Sequence, residues 1–299
     1  MPAPVVEARA LALRRGRRMV VRAATLQLAP GERLGLVGIN GSGKTSLLRA
    51  IAGLARPCAG ELSVFGMPPH RHASARRRIG WLPEQAPLLP ELDVRGALRH
   101  AAALAGVPAR ARTRAAETAV ERCGLTAVAA KRVTQLSLGY RRRLGLAQAL
   151  VHEPRLLLLD EPSNGLDAEA RGALYELIAG LSPAPALIVA THAGSDLEAL
   201  CGRIRVLHDG RLSDPAAGNH DWWLVLGANA GPAPGSLPGV ADARAAGERR
   251  WRVRLSRDAE PETVLAAGIE GGWRVAEWRS LRSDPEALIG ATGNTETMP

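Results

Sequence analysis

A glycine-rich octapeptide, GINGSGKT from Gly38 to Thr45, constrains the fold of this chain more than any other stretch. It fits the P-loop pattern Gly-x-x-x-x-Gly-Lys-Ser/Thr, and it follows RLGLVG at 33–38, an apolar run typical of a buried strand. After the loop, apolar residues repeat at helical spacing at Leu47, Leu48, Ile51 and Leu54. A strand, this loop and a helix in that order predict an α/β nucleotide-binding fold rather than a turn that only connects two elements.

The residue types in this loop suit a bound polyphosphate. Glycines let the backbone curl so that successive N–H groups face a phosphate, and the positive end of the following helix adds to the attraction. Lys44 can supply a positive charge to the β- and γ-phosphates, and the Thr45 hydroxyl can supply a ligand for Mg²⁺. The predicted nucleotide-binding residues here are Gly38, Asn40, Gly41, Ser42, Gly43, Lys44, Thr45 and Ser46.

A second apolar run ends in two acidic residues. RLLLLD at 155–160 and ALIVATH at 186–192 are short apolar strands of the kind buried in parallel sheets. The first delivers Asp160 to its carboxyl end, where a carboxylate can hold magnesium, through water, opposite Thr45. Glu161 follows at the turn, where it can reach an attacking water as general base. An isolated Asp-Glu pair would indicate a solvated loop, but together with the P-loop it predicts a hydrolytic site.

Changes in composition divide the chain into segments. Residues 1–213 hold the P-loop and the apolar strands, with an inserted helical subdomain at about 85–150. Residues 214–249 are rich in Gly, Pro, Ala and Asn, as in a linker, with a possible strand at 222–226. Residues 250–299 predict a small β-α-β accessory domain. The predicted fold class is therefore an α/β P-loop core with an inserted helical subdomain, plus a small C-terminal α+β domain.

The basic charge of the chain does not by itself indicate a nucleic-acid partner. The formal net charge is +10, but Lys44 and Lys131 are the only lysines, and this arginine bias is typical of a GC-rich genome. A solvated surface is therefore expected, and no nucleic acid. Three scattered cysteines, Cys58, Cys123 and Cys201, predict a reducing compartment. Without an apolar leader or a charge-free span, a cytoplasmic chain that does not cross a bilayer is expected.

The order of the motifs resembles a known family. The P-loop is followed by LSLGYRRR at 136–143, LLLLDEPSNGLD at 156–167 and ATH at 190–192. This order resembles the ATP-binding subunit of ABC transporters, and the resemblance covers residues 5 to about 213. It implies the ABC ATPase form of the P-loop NTPase core, with ATP and Mg²⁺ as cofactors. The three arginines, which alone could indicate a nucleic-acid patch, then begin a helix and are mostly expected on its solvated face.

The resemblance implies roles for residues outside the P-loop. Ser137 and Gly139 belong to the family's signature loop and would contact the γ-phosphate of ATP held by the opposite subunit. His192 would sense that phosphate, and Asp167 would communicate across the dimer. Hydrolysis would therefore need two subunits, with Glu161 and His192 as the catalytic residues.

Three places depart from the family's pattern. The signature normally reads Ser-Gly-Gly-Gln, and here Leu138 and Tyr140 replace the first Gly and the Gln, while the backbone donor of Gly139 is kept. Glu84 stands where the family has a glutamine that contacts magnesium, and a carboxylate can still ligate the metal. Arg15 stands where an aromatic ring usually stacks on adenine, so either its guanidinium plane stacks there or the base is loosely held.

The resemblance implies an ATP-hydrolysing motor of an exporter. LPE at 82–84 and the Gly-Tyr signature resemble a subclass of bacterial exporters that includes gliding-motility, drug-efflux and copper-related systems. ATP would close two subunits, a homodimer being expected, and hydrolysis would reopen them, while a separate integral-membrane permease performs export. This places the chain in the cytoplasm, peripheral on the inner face of the cell membrane. The alternative is a soluble ABC-type ATPase with a nucleic-acid or ribosomal partner, but such proteins resemble two ATPase domains in one chain, and this sequence has one P-loop.

The family resemblance also places a docking surface for the permease beside Glu84, in the insert that begins at Gln85. Leu88, Leu89 and Leu92 stand between prolines there, an arrangement suited to receiving a short helix from a partner. The other interpretation is that these leucines pack the insert against the core. Both interpretations remain open from the sequence.

Overall fold

The computed structural model describes residues 3–192, 197, 200–214, 221–226, 233–245, 249–256 and 259–280. The chain divides into two compact units. The first is formed by Met1–His192 with Leu197–Ser213, and the second contains the described residues from Asp214 onward. Among the described helices, none combines the length and the apolar character needed to cross a membrane.

The first unit contains two sheets and the helices that surround them. Its strands in chain order are β1 (Val6–Arg15), β2 (Arg18–Leu28), β3 (Arg33–Val37), β4 (Ala59–Val64), β5 (Ile79–Leu82), β6 (Leu156–Asp160), β7 (Ala186–Thr191), β8 (Arg203–His208) and β9 (Arg211–Ser213). Its helices are α1 (Lys44–Ile51), α2 (Ala73–Arg76), α3 (Val94–Leu104), α4 (Arg112–Arg122), α5 (Leu138–Leu150) and α6 (Ala168–Ala179).

The larger sheet has the strand order β5-β6-β7-β3-β8-β9. All neighbours are parallel except the β8–β9 pair. Every residue of β6 and β7 is buried, which explains their continuous apolar sequences, because parallel strands are covered on both faces. The parallel arrangement brings the carboxyl ends of β3, β6 and β7 to one edge, where open α/β sheets bind ligands.

The smaller sheet is antiparallel, with the order β2-β1-β4. Its buried residues share one hydrophobic core with α1 and with the central strands of the larger sheet. Leu47, Leu48 and Ile51 form the buried face of α1, as their helical spacing predicts. Helix α1 is therefore fixed against both sheets, and its first residue, Lys44, is held at the sheet edge.

The interval expected for the helical subdomain, about 85–150, contains α3, α4 and α5. Asp93 caps α3, because its carboxylate accepts a hydrogen bond from the Gly96 amide at 2.6 Å. Small residues such as Ala97 and Ala116 are buried, which lets these alanine-rich helices approach closely. Helix α5 also packs on β5, so it connects the insert to the edge of the sheet.

The second unit is a four-stranded antiparallel sheet with one helix. Its strands, β10 (Asp221–Leu226), β11 (Val240–Ala245), β12 (Arg250–Leu255) and β13 (Val275–Ser280), have the order β11-β12-β10-β13, and its helix is α7 (Pro261–Glu270). Its core is formed by Leu224, Val253, Leu255, Val264 and Trp273. Gly268 of α7 is required here, because a Cβ atom would lie 2.1 Å from the indole of Trp273.

The interval 214–249, predicted as a linker with a possible strand at 222–226, holds a strand there and a second one after it. It contributes β10 and β11 to the sheet, and β10 separates the two strands of the predicted β-α-β unit. The physical reason is that two strands and one helix bury little apolar surface, so further strands complete the core. Residues 281–299 of the predicted accessory domain lie outside the described residues.

Candidate functional site

A cavity of about 430 Å³ at the carboxyl edge of the larger sheet collects residues that lie far apart in the sequence. It is lined by Arg15, Val20, Asn40, Gly41, Gly43, Lys44, Thr45, Ser46, Glu84, Glu161, Asn164 and His192. All of these except Val20 and Asn164 belong to the predicted site. The structure therefore brings together the predicted P-loop, Glu161 after β6, His192 after β7 and Arg15.

The backbone of the P-loop requires glycine at two places. Gly43 has φ 111°, and a Cβ atom there would lie 2.5 Å from the carbonyl oxygen of Val20. A Cβ atom on Gly38 would lie 2.4 Å from the carbonyl oxygen of Leu207. The loop therefore curls tightly between β3 and α1, and the N-terminus of α1 is directed at the cavity.

Lys44 is a buried cation at the floor of this cavity, with only 5% of its surface exposed. Its Nζ donates hydrogen bonds to the carbonyl oxygens of Gly38 at 2.7 Å and Ile39 at 3.3 Å. The same Nζ lies 3.4 Å from Oε1 of Glu161. These contacts stabilise a charge that would otherwise be costly to bury, and they hold it where a polyanion can reach it.

Asp160, at the end of β6, fits the chemistry of a magnesium site. It is 1% exposed, and neither carboxylate oxygen has a partner with hydrogen-bond geometry among the described residues. Burial raises the pKa of Asp160, and the nearby Thr45 hydroxyl opposes that rise. Two buried, unpaired carboxylate oxygens beside a hydroxyl are suitable donors for a hard cation.

The described part of the chain holds no group of three or more His, Cys, Asp or Glu side chains able to bind a metal ion. Mg²⁺ is commonly held by one or two carboxylates, water and the substrate's phosphates, and Thr45, Asp160 and Glu84 remain the predicted protein ligands. Glu84 lines the same cavity.

Glu161 is held in an unusual conformation beside His192. Its φ is 47°, a left-handed value that is uncommon for a residue with a side chain. Its amide donates to the carbonyl oxygen of Ala190 at 2.8 Å, and Nδ1 of His192 lies 2.9 Å from its Oε2. The turned backbone therefore directs the Glu161 carboxylate into the cavity, against Lys44 on one side and His192 on the other.

The structure does not bring the signature residues to this cavity. Ser137, Gly139 and Asp167 line a second cavity of about 250 Å³, together with Tyr140 and Arg143. Ser137 caps α5 and Asp167 caps α6, each accepting a hydrogen bond from the backbone amide three residues further on. Gly38 and Ser42 lie behind the first cavity, where Gly38 accepts from Lys44 and the Ser42 hydroxyl is buried.

Two residues that the sequence analysis did not select lie beside the predicted ones. Asn164 lines the first cavity, and its Nδ2 donates to Oε1 of Glu84 at 3.1 Å. Arg142 of α5 donates to the carbonyl oxygens of Glu84 and Asn164. Asn164 could have been predicted as a site residue, because it lies only four residues after Asp160. Arg142 could not have been predicted, because its partners are backbone atoms of distant loops.

The fold and the site together define a class of protein. A parallel sheet delivers a P-loop with a buried lysine, a carboxylate with two unpaired oxygens, and a Glu–His pair to one edge. These are the parts that bind and hydrolyse a nucleoside triphosphate, so the chain is a P-loop NTPase.

Comparisons with known proteins identify the family within this class. Residues 21–164 match the family described as ABC transporter. The chain is 38% identical over 198 residues to Nod factor export ATP-binding protein I of Rhizobium etli, covering 66% of this chain and 63% of that protein. It is 37% identical over 213 residues to the protein of the same name from Burkholderia lata, covering 71% and 70%. The chain belongs to the ABC transporter family of ATP-binding proteins.

Solved structures agree with this assignment. One, described as an ATP-binding subunit of an ABC transporter, is 27% identical with a TM-score of 0.62, covering 70% of this chain and 88% of its own. Another, a dimeric ATP-binding cassette in a post-hydrolysis state with ADP and Pi, is 23% identical with a TM-score of 0.62, covering 70% and 98%, and supports the fold alone. The predicted family, fold class and ATPase class are confirmed. The chain matches between 63% and 70% of the length of the two relatives.

Proposed function

We propose that this chain is the ATP-hydrolysing motor subunit of an exporter, and that it acts as a dimer on a separate membrane permease. The observation that carries the proposal is the placement of Lys44, Glu161 and His192 around one cavity, with the buried carboxylate of Asp160 next in sequence to Glu161 at the end of β6. The export direction is supported by the two relatives, which are named as export ATP-binding proteins.

The proposed chemistry is water attack on the γ-phosphorus of ATP. P-loop amides and Lys44 bind the phosphates, and a bound Mg²⁺, held by Thr45, Asp160 and Glu84, would neutralise their charge. Glu161 accepts a proton from the attacking water, and the bond from the γ-phosphorus to the bridging oxygen breaks to give ADP and phosphate. His192 fixes the orientation of Glu161 through the 2.9 Å contact and lies where it can meet the γ-phosphate.

The proposed dimer follows from the separation of the two cavities. Ser137, Gly139 and Asp167 line a cavity separate from that of the chain's own P-loop, which supports the arrangement that the family resemblance implies, in which they contact a nucleotide held by another subunit. Two identical chains in opposite orientation would each complete the other's site, with ATP between them. Docking on a permease would place the dimer at the inner face of the cell membrane, and the permease would select the transported substrate.

A phosphate-release assay on the purified chain tests this function. We expect ATP hydrolysis that needs Mg²⁺ and stops when EDTA removes the metal. The reason is that the predicted side chains supply only part of the Mg²⁺ ligands and the phosphates of ATP supply others, so the metal joins ATP to the protein. We also expect stimulation by permease-containing membranes and none by RNA. Hydrolysis that RNA stimulates and membranes do not would favour the soluble ATPase with a nucleic-acid partner.

Arg15 leads to a prediction about the base. It lies at the exposed end of the β1–β2 hairpin and lines the cavity, and none of the described residues that line the cavity with it is aromatic. We expect weak discrimination between ATP and GTP, because phosphate and metal contacts do not recognise the base. Arg15→Tyr should tighten ATP binding by about 0.5–1.5 kcal/mol if the ring stacks on adenine.

Titration calorimetry with ATP and GTP measures this effect. Arg17→Tyr is the matched control, because Arg17 belongs to the same exposed turn and does not line the cavity. An ATP affinity that is equal in the Arg15→Tyr variant and in the wild type would show that Arg15 already stacks or that the base binds elsewhere.

A further inference from the structure

Arg142 connects three segments that the fold brings together behind the nucleotide cavity. It lies on α5, and its guanidinium donates hydrogen bonds to the carbonyl oxygen of Glu84, after β5, and to that of Asn164, after β6, the latter at 3.0 Å. The two loops are also joined directly, since Asn164 Nδ2 donates to Glu84 Oε1 at 3.1 Å. Arg142, Glu84 and Asn164 therefore form a closed triangle of contacts, called here the arginine clasp.

Arg142 is not fully exposed. It is half-buried, as Arg143 is, whereas Arg141 is exposed. Burial lowers the pKa of Arg142, and the negative charge of Glu84 opposes that change. Glu84 and Asn164 both line the nucleotide cavity, but Arg142 does not. Its guanidinium thus contacts the backbone of two residues that line the cavity without lining it itself.

The contacts use a property that arginine has and lysine lacks. A planar guanidinium presents several N–H donors in a fixed arrangement, so one side chain can hold two carbonyl oxygens of different loops at a set separation. With both loops fixed to α5, the Asn164 amide is placed to orient the Glu84 carboxylate. The residue that caps the N-terminus of α5, Ser137, lines the second cavity. One helix therefore joins the second cavity to the wall of the first.

We propose that Arg142 is a positioning residue that orients the Glu84 carboxylate, through Asn164, toward the metal side of the nucleotide site. This inference rests on the proposed ATP site and adds to it a residue that touches neither nucleotide nor metal. Without the clasp, Glu84 sits on a loop that is free to shift, and its contribution to magnesium-dependent nucleotide binding falls. Residues that orient the ligands of a metal commonly affect metal affinity by about 10–100-fold.

The test measures binding of AMP-PNP, a non-hydrolysed ATP analogue, once with Mg²⁺ and once with EDTA. In Arg142→Met we expect the affinity with Mg²⁺ to fall about tenfold and the affinity with EDTA to stay unchanged. Arg142→Lys should recover only part of the loss, because one ammonium cannot hold both carbonyl oxygens in the same geometry. Arg112→Met is the matched control, since Arg112 is a half-buried arginine that donates to the carbonyl oxygen of Val107, outside the nucleotide cavity.

The Asn164→Ala variant distinguishes a loss of orientation of the Glu84 carboxylate from a general loss of packing. It removes the amide that contacts Glu84 and keeps the backbone carbonyl that Arg142 binds. We expect Asn164→Ala to lower the affinity for AMP-PNP with Mg²⁺ as well. The double variant with Arg142→Met should lose no more of this affinity than the more affected single variant does. Should Arg142→Met fail to fold, the Asn164→Ala variant carries the test alone.

The outcomes distinguish this inference from the proposed function. Equal affinities with Mg²⁺ and with EDTA in the wild type would overturn the proposed site itself. A magnesium-dependent affinity that is kept in Arg142→Met and in Asn164→Ala would overturn only the role of the clasp. A fall of equal size with and without Mg²⁺ would also overturn it, because it would mean that Arg142 supports the fold and not the orientation of Glu84.

Discussion

Glu161→Gln is expected to keep nucleotide binding and to lower turnover by about 10²–10⁴-fold, the usual scale for loss of a general base. The glutamine amide has nearly the shape of the carboxylate, so the left-handed backbone and the contact with His192 can be kept. It cannot accept a proton from water. The loss should therefore fall on the chemical step, and ATP should remain bound between two subunits.

Phosphate release measures the turnover, and the elution volume on a sizing column measures whether two subunits remain together with ATP bound. The control is Glu153→Gln, the same change at a second glutamate with positive φ, 53°, that does not line the nucleotide cavity. We expect the control to hydrolyse ATP as the wild type does. Turnover at the wild-type rate in Glu161→Gln would remove Glu161 from the catalytic role, and loss of hydrolysis in both variants would point to the fold and not to chemistry.

Much of this site could be predicted from the sequence because its parts are local. The P-loop needs glycine at positions such as Gly43, where backbone geometry excludes a side chain, so the pattern is visible in eight consecutive letters. Asp160 and Glu161 are visible because a strand that is buried on both faces must be apolar and must end at the sheet edge. The structure adds the conformation of Glu161, which places its carboxylate in the cavity.

The remaining parts could not be predicted because they depend on contacts between distant segments. The partners of Arg142 are carbonyl oxygens 58 and 22 residues away, and any residue type would present the same atoms there. The triple arginine at 141–143 therefore suggested a solvated face. The strand β11 could not be predicted for another reason: a short strand flanked by Gly, Pro and Ala has the composition of a linker.

The second large effect, a loss of binding to the permease, is expected from a substitution on the surface beside Glu84. Leu89 is 38% exposed, whereas its neighbours Leu88 and Leu92 are half-buried. The structure thus distinguishes the three leucines: two are partly buried, and the side chain of Leu89 is the more exposed one. The segment between Glu84 and α3 also has its own backbone hydrogen bond, from the Leu92 amide to the Leu89 carbonyl oxygen at 3.3 Å.

We expect Leu89→Asp to leave the isolated chain folded and able to bind ATP, and to abolish its recovery with the permease. An exposed side chain can be replaced at little cost to stability, but a charge at an apolar contact with the permease would be buried without a partner. The chain would be coexpressed with a candidate permease, extracted in detergent and pulled down by a tag on the permease. Coupled transport should be lost together with the complex.

Leu104→Asp is the matched control for this experiment, because Leu104 is 78% exposed and lies at the other end of α3. Helix α3 rises by roughly 15 Å from Val94 to Leu104, and Leu89 precedes its first residue, so a docking surface next to Glu84 should tolerate the change at Leu104. Equal recovery of both variants would place the permease contact elsewhere on the subunit. If the wild type itself binds no permease, the soluble ATPase with a nucleic-acid or ribosomal partner becomes the better account of this chain.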